Sequence, residues 1–357
     1  MTARTALAWS LLALTSLAAT PAYAGRGSDK SLEIYFIDVE GGQSTLVVTP
    51  DRHALLIDAG WAGDGDGYRP GDPHAARDAN RILAAARDAR LSAIDELFIT
   101  HFHVDHDGGV KELSQLIPIR MFIDHGTPAD GAMSTSADTA AGFRTYLEVR
   151  GDARHLEPRP GDRLPLADVD ATVVSAAGAT LPAPLPHAGG LNTGCQAQAT
   201  PSLDPYENPR SNGVVIEFGK FRFLDLGDLA GEPLYSLACP KDMVGPVDLY
   251  LVAHHGGGDQ GDLGIFAAFK PRVVVMNNGV RKGGARTTYQ ALHNVPGLVN
   301  VWQLHASAEA AGANFPAAYI ANLDESTAYW IKVVAHRDGS FRVANPRTGE
   351  WRSYPAR

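Results

Sequence analysis

Apolar residues along this chain gather into short unbroken runs separated by glycine- and aspartate-rich breaks. Residues 32–48 read as two strands around a turn at Gly41-Gly42, and Ala54-Leu55-Leu56-Ile57 follows, closing on Asp58-Ala59-Gly60. Further runs stand at residues 94–99, 221–226, 247–253 and 273–276, all rich in Val, Ile, Leu and Phe. Continuous apolar runs of this length are what strands buried on both faces require. Residues 74–90 break the pattern, because Ala79, Ile82, Leu83 and Ala86 recur at helical spacing, and residues 232–237 read as a further helix. Strands alternating with helices predict an α/β fold. Two segments carry no such period: residues 126–142, small, polar and mobile in character, and the Pro-rich stretch 181–209, a long irregular insertion of the kind that holds substrate contacts. Near the end, runs at residues 329–335 and 341–343 flank His336-Arg337-Asp338-Gly339, which predicts a β-hairpin in a terminal β-extension over about residues 329–357, with Trp351 packing on it.

The first residues change the picture of where the chain works. Arg4, the apolar run 6–14 and Ala22-Tyr23-Ala24 before Gly25 form a secretory signal over residues 1–24, so residues 25–357 are expected as one exported domain, periplasmic or extracellular. No later apolar run reaches the roughly 20 residues needed to cross a bilayer. An oxidising compartment permits Cys195 and Cys239, the two cysteines present, to pair, the alternative being two free thiols. A net charge of −9 disfavours a broad nucleic-acid-binding surface. The nearest basic cluster is Arg281-Lys282-Gly283-Gly284-Ala285-Arg286, after the strand at 273–276. It reads either as a solvated loop or, with Asn277 and Asn278, as an anion clamp on the same rim as the chemistry described next, with Arg281 and Lys282 as its charges.

That chemistry is concentrated in His101-Phe102-His103-Val104-Asp105-His106-Asp107, directly after the strand at 94–99. Three imidazoles and two carboxylates in one turn are metal-site chemistry. A spacing of two lets His101 and His103 project the same way from a strand end, while Asp105 and His106 face a second ion. Two-metal sites hold their ions roughly 3.5–4 Å apart, so ligands from one loop feed both.

The pattern His-x-His-x-Asp-His resembles the signature of the metallo-β-lactamase superfamily, and later pieces follow in that family's order. The resemblance implies a four-layer αββα sandwich, here with the C-terminal β-hairpin extension, and two divalent ions, zinc first, with manganese or iron also suited. By the resemblance Asp58 sits beneath the ligands and orients an imidazole. Asp228, in Leu224-Asp225-Leu226-Gly227-Asp228, bridges both ions, with Asp225 as competitor. One of His254 and His255 completes the site, His254 favoured as ligand and His255 as a substrate contact or proton donor. His101, His103, Asp105, His106, Asp228 and His254 are thus the expected ligands, and Asp105 and His255 the expected catalytic pair. The His-His-Gly run and Asp-Val-Glu-Gly-Gly-Gln make the chain similar to the metallo-hydrolase domain of competence proteins of the ComEC type. Lactamases and glyoxalases carry another ligand histidine where this chain reads Asn208-Pro209-Arg210-Ser211-Asn212; His187, in the loop Leu185-Pro186-His187-Ala188-Gly189, is either its substitute or a solvated loop histidine. The implied activity is hydrolysis of a small or polymeric anionic substrate, a phosphodiester foremost, by a metal-activated water. A lactam, lactone or thioester hydrolase is the alternative, and a non-catalytic metal-binding protein stands behind both.

Overall fold

The computed structural model describes residues 30–63 and 72–357; the expected signal and most of the Gly/Asp loop after Ala62 lie outside the described residues. In chain order the first strands are β1 (Leu32–Phe36), β2 (Thr45–Val48), β3 (Ala54–Ile57), β4 (Glu96–Phe98), β5 (Met121–Ile123) and β6 (Arg154–Leu156). The next group is β7 (Asp170–Ala176), β8 (Ala179–Thr180), β9 (Gly213–Phe218), β10 (Phe221–Asp225), β11 (Leu249–Leu251), β12 (Val273–Met276), β13 (Asn300–His305) and β14 (Ile320–Asn322). The last three are β15 (Ile331–Ala335), β16 (Phe341–Asn345) and β17 (Glu350–Tyr354). They form a nine-stranded sheet, β17-β16-β15-β1-β2-β3-β4-β5-β6, and an eight-stranded sheet, β14-β13-β12-β11-β10-β9-β7-β8.

Alternation along each strand explains how the layers stack. Leu32, Ile34 and Phe36 point between the sheets and meet Ile216, Phe223, Leu249 and Val275 from the other sheet. The intervening Tyr35, with Leu46, Leu56 and Leu97, faces outward onto α1 (Arg77–Asp88), α3 (Val110–Leu116) and α5 (Ala137–Arg150), through Ile82, Leu83, Leu113, Phe143 and Tyr146. On the far side Val215, Leu224, Tyr250 and Val274 meet α6 (Gly231–Ala238), α7 (Leu263–Phe269) and α8 (Arg286–Leu292). The result is the expected αββα order. The central strands are apolar on both faces because each face meets another layer. A fully buried Leu, Ile or Phe contributes about 1.5–3 kcal/mol by leaving water.

Two expectations need correction. Residues 126–142 are not a mobile polar segment: α4 (Asp130–Thr135) and α5 occupy most of it. Ser136 accepts from the Thr139 N–H and caps α5, and Thr139, Phe143 and Tyr146 are its buried stripe. Only three core positions face inward, so small and polar residues dominate the composition. The terminal extension is also more than a hairpin. β15 pairs antiparallel with β1, β16 with β15 and β17 with β16, so the first sheet is lengthened by three strands. Trp351 lies within β17 and remains half exposed, with the Arg342 guanidinium 4.2 Å from its ring centre. The stretch 181–209 is irregular apart from a single turn at its end, and Cys195 and Cys239 are bonded, their Cα atoms 5.8 Å apart. No helix among the described residues is long and apolar enough to cross a membrane.

Candidate metal centre

The candidate residues gather where parallel strands end. β3 and β4 run parallel, as do β10, β11 and β12, and each opens at its carboxyl end into a loop carrying polar side chains. β4 leads to Thr100, His101 and His103, and the short α2 (Val104–Asp107) then carries Asp105 and His106. β10 leads to Asp228 through Gly227. There φ is +55°, and a Cβ would stand 2.6 Å from Thr100 Cβ, so only glycine lets the two loops meet. β11 leads to His254 and His255, at φ +50° and +52°. Two consecutive non-glycine residues in the left-handed region are a costly arrangement of the kind that clusters at functional sites.

Four of these groups converge. Asp105, His106, Asp228 and His255 are all buried and offer ligand atoms within 4.8 Å of one another. His255 Nε2 lies 3.1 Å from Asp105 Oδ2 and 3.2 Å from Asp228 Oδ2, and His106 Nε2 lies 3.4 Å and 3.2 Å from the same two atoms. His101 Nε2 is 3.9 Å from Asp228 Oδ2 and 2.9 Å from His103 Nδ1. Asp228 therefore stands between the two groups of histidines.

Asp58 sits below them, buried, at φ +60°, which an aspartate tolerates better than most side chains. It accepts from the Thr100 N–H at 2.8 Å and the Thr100 hydroxyl at 2.7 Å, and its Oδ2 is 2.7 Å from His106 Nδ1. His106 Nε2 is thereby turned toward Asp105 and Asp228. Burial opposes the charge of Asp58, Asp105, His106 and Asp228 and is the largest influence on these four. It raises the Asp58 carboxyl despite His106, whereas Lys282 and His106 overcome it at Asp105, and His106 and His255 overcome it at Asp228, leaving both well below the usual carboxylate range. His106 is raised well above the usual imidazole value by Asp228, Asp105 and Asp58, against burial.

The adjacent histidines take different places. His255, expected as a substrate contact, joins the four-group cluster, and His254, expected as a ligand, stands outside it, its Nε2 as far from Asp228 as that of His101. His254 Nδ1 is 2.9 Å from Asp259 Oδ1, and its Nε2 is 3.2 Å from Asn208 Nδ2 and 3.9 Å from Asp228 Oδ2. Left-handed backbone at both residues ends the alternation of β11, so strand parity does not set which imidazole turns inward. Asn208 thus lies beside His254, on the segment without the further histidine, while His187 is exposed beside Gly245 and outside the cluster. Asp225 points back into the fold and accepts from Gln43 Nε2 at 2.9 Å.

The clamp is also narrower than expected. Asn277 is buried, donating at 3.3 Å to Gln43 Oε1, and Asn278 is buried, donating at 2.9 Å to the His305 carbonyl. Arg281 points to solvent and pairs with Glu325 at 2.9 Å. Of the four, Lys282 alone reaches the cluster: its ammonium pairs with Asp105 Oδ2 and lies 4.9 Å from the Trp61 ring centre. A cleft of about 540 Å³ opens there, lined by Leu203, His254, His255, Lys282, Thr287 and Glu309 among others.

Asp204, Asp259 and Trp61 escaped the sequence reading. Asp259 had one signal, five residues after His254 in a glycine run. Asp204, in the irregular insertion, had none. It accepts at 2.7 Å from the N–H groups of Tyr206 and Glu207 and lies 3.4 Å from His103 Nε2; against partial burial these partners hold its carboxyl at about 2.

A family model of the metallo-beta-lactamase superfamily matches residues 37–197, the stretch that carries β2 to β8, Asp58 and the histidine loop. Over that stretch the chain is similar to the metallo-beta-lactamase superfamily. No curated protein matches the chain by sequence. Among solved structures, the metallo-beta-lactamase fold protein YhfI from Bacillus subtilis is 10% identical at a TM-score of 0.43, over 77% of this chain and 96% of that one. CmlA, a diiron beta-hydroxylase from Streptomyces venezuelae, is 16% identical at 0.38, over 71% and 45%. MEM-A1, a subclass B3 metallo-beta-lactamase from a soil metagenome library, is 15% identical at 0.36, over 68% and 86%.

Proposed function

We propose that this chain is an exported hydrolase that holds two divalent ions and cleaves an anionic ester, a phosphodiester foremost. The observation that carries the reading is the convergence of Asp105, His106, Asp228 and His255 on one buried point, with His101 and His103 beside it. The donor set fits such ions. Nitrogen and oxygen ligands together suit borderline metals such as zinc, and Asp228 Oδ1 is buried without a hydrogen-bond partner among the described residues. Asp105, His106 and His255 would hold one ion, His101 and His103 the other, with Asp228 shared. Ions there would polarise the ester and bring water's acidity toward neutral pH.

The chain's own groups account for the remaining roles. Asp58 fixes the ring of His106. Lys282, at the inner wall of the cleft, supplies a cation for the substrate's negative oxygens, and its present pairing with Asp105 shows that its stem reaches the cluster. His254 lines the same cleft with Nδ1 held by Asp259, so its Nε2 can carry a proton to the leaving oxygen. Burial lowers the His254 imidazole, but Asp228 and Asp259 outweigh it and raise the pKa above the ordinary value. The role expected of His255 thus passes to its neighbour. The Cys195–Cys239 bond supports export, since such bonds persist outside the reducing cytosol.

The test is hydrolysis of bis-p-nitrophenyl phosphate, p-nitrophenyl phosphorylcholine and nitrocefin by the metal-loaded protein, beside Asp105→Ala. Metal-dependent release from the phosphodiesters, lost in the variant, is the expected result. Cleavage of nitrocefin alone would defeat the phosphodiester reading. Full activity in a folded Asp105→Ala protein would defeat the whole mechanism.

A further inference from the structure

The irregular insertion between β8 and β9 does more than cover the cleft. Within it, Asp204 uses one carboxylate oxygen to hold its own turn, accepting at 2.7 Å from the backbone N–H groups of Tyr206 and Glu207. The other oxygen, Oδ2, is left facing His103 Nε2 at 3.4 Å. The turn is pinned on both sides. The Leu203 N–H donates to Asp259 Oδ2 at 3.2 Å, and the fully buried Glu207 lies 2.8 Å from His125 Nε2. His103 therefore has one ring nitrogen against a fixed carboxylate, and the other, Nδ1, turned toward His101 Nε2 at 2.9 Å.

A neutral imidazole carries one N–H, and its hydrogen-bond partner decides which nitrogen carries it. A ligand histidine needs the opposite nitrogen free, and an outer carboxylate that takes the proton both frees it and stops the ring from turning. We propose that Asp204 is the positioning residue of the first ligand pair, taking the Nε2–H of His103 so that Nδ1 faces the same point as His101 Nε2. This rests on the two-ion reading above and adds to it a residue outside the strand-end loops. The segment that lacks the further ligand histidine thereby serves the site by orienting a ligand that the histidine loop already supplies.

Asp204→Asn isolates the contact. Its carbonyl oxygen can still accept from Tyr206 and Glu207, but the amide that replaces Oδ2 cannot accept from His103. Two measurements are made on the full chain: ring-nitrogen NMR shifts of His103 in metal-free protein, and stepwise zinc affinity by competition with a chromogenic chelator. The expected results are an Nε2–H tautomer in the wild type that is lost in Asp204→Asn, and an affinity for one of the two ions that falls about 10- to 100-fold while the other is unchanged. In a His103→Ala background the same substitution should add no further loss. An unchanged tautomer with both zinc affinities within twofold of wild type would overturn the proposal. So would equal weakening of both ions together with a lower unfolding midpoint, which would mean that Asp204 only holds the loop. A wild type that binds fewer than two ions yet keeps the Nε2–H tautomer would defeat the two-ion reading while leaving the hold of Asp204 on His103 intact.

Discussion

Asp225 gives a prediction whose size follows from the structure. Its side chain is 1% exposed, behind the candidate ligands, and only one oxygen is satisfied: Oδ1 accepts from Gln43 Nε2 at 2.9 Å and from the Gly227 N–H at 3.1 Å. Oδ2 has no hydrogen-bond partner among the described residues. Burial, opposed by the Gly227 donor and reinforced by Asp58, pushes its ionisation from 3.8 up to about 7. Because the folded value is the higher one, the fold binds this proton more tightly than the unfolded chain does. The stability it confers is complete below pH 4 and is lost as pH rises through about 7. At about 1.4 kcal/mol per pH unit that window corresponds to roughly 4 kcal/mol, an upper figure for a buried group. Asp225→Asn keeps the Oδ1 acceptor and removes the charge. The metal-free variant should match wild type near pH 4, where both side chains are neutral, and exceed it by about 2–4 kcal/mol at pH 8. Urea unfolding of chelator-treated protein across pH 4–8 measures this directly. A variant less stable than wild type at pH 8, or a difference that does not change with pH, would refute the argument.

Lys282→Met should raise KM for anionic esters by roughly tenfold or more, the worth of one hydrogen bond to a charged group, while kcat falls less than threefold and neutral esters are unaffected; steady-state kinetics on matched charged and neutral substrates decides it, and an unchanged KM removes the clamp. Replacing both Cys195 and Cys239 by Ala reopens a loop closed across 44 residues, which the chain-entropy relation puts at about 4 kcal/mol. A urea midpoint unmoved by that change would show that the insertion is held by its side-chain contacts alone.

What could be read from the chain beforehand follows from where the information is local. Strands covered on both faces announce themselves, since no polar residue can sit in Leu55-Leu56-Ile57 or Val273-Val274-Val275 without being buried. The histidine loop was legible because its ligands come from one turn, and Asp58 because it ends the neighbouring strand. Asp204 was not. Its contact with His103 spans about a hundred residues and depends on how an irregular segment folds back, which no periodicity encodes. α5 was missed for a related reason: three inward positions among alanines and polar residues leave too thin a stripe. The surplus strand β17 escaped because it lies at a sheet edge with most of its side chains exposed, so its composition resembles a loop.

The two adjacent histidines put the division of labour to its clearest test. His255 meets both Asp105 and Asp228, so His255→Ala removes one nitrogen from a four-group cluster and should cost one ion its affinity, with turnover falling for every substrate. His254 is tied to Asp259, lines the cleft and stands outside the four-group cluster; His254→Ala should therefore leave two ions bound. Its loss should appear only where the leaving oxygen needs a proton. A p-nitrophenolate leaves as a stable anion and should depart at close to the wild-type rate, whereas an alkyl alcohol should leave about 100-fold or more slowly, the ordinary contribution of a positioned general acid. Asp259→Asn should show the same dependence on leaving group in weaker form, because it keeps the ring in place but removes the charge that holds its proton. If His254→Ala instead loses an ion, or slows both kinds of leaving group equally, His254 is a ligand and the assignment of the pair must be exchanged.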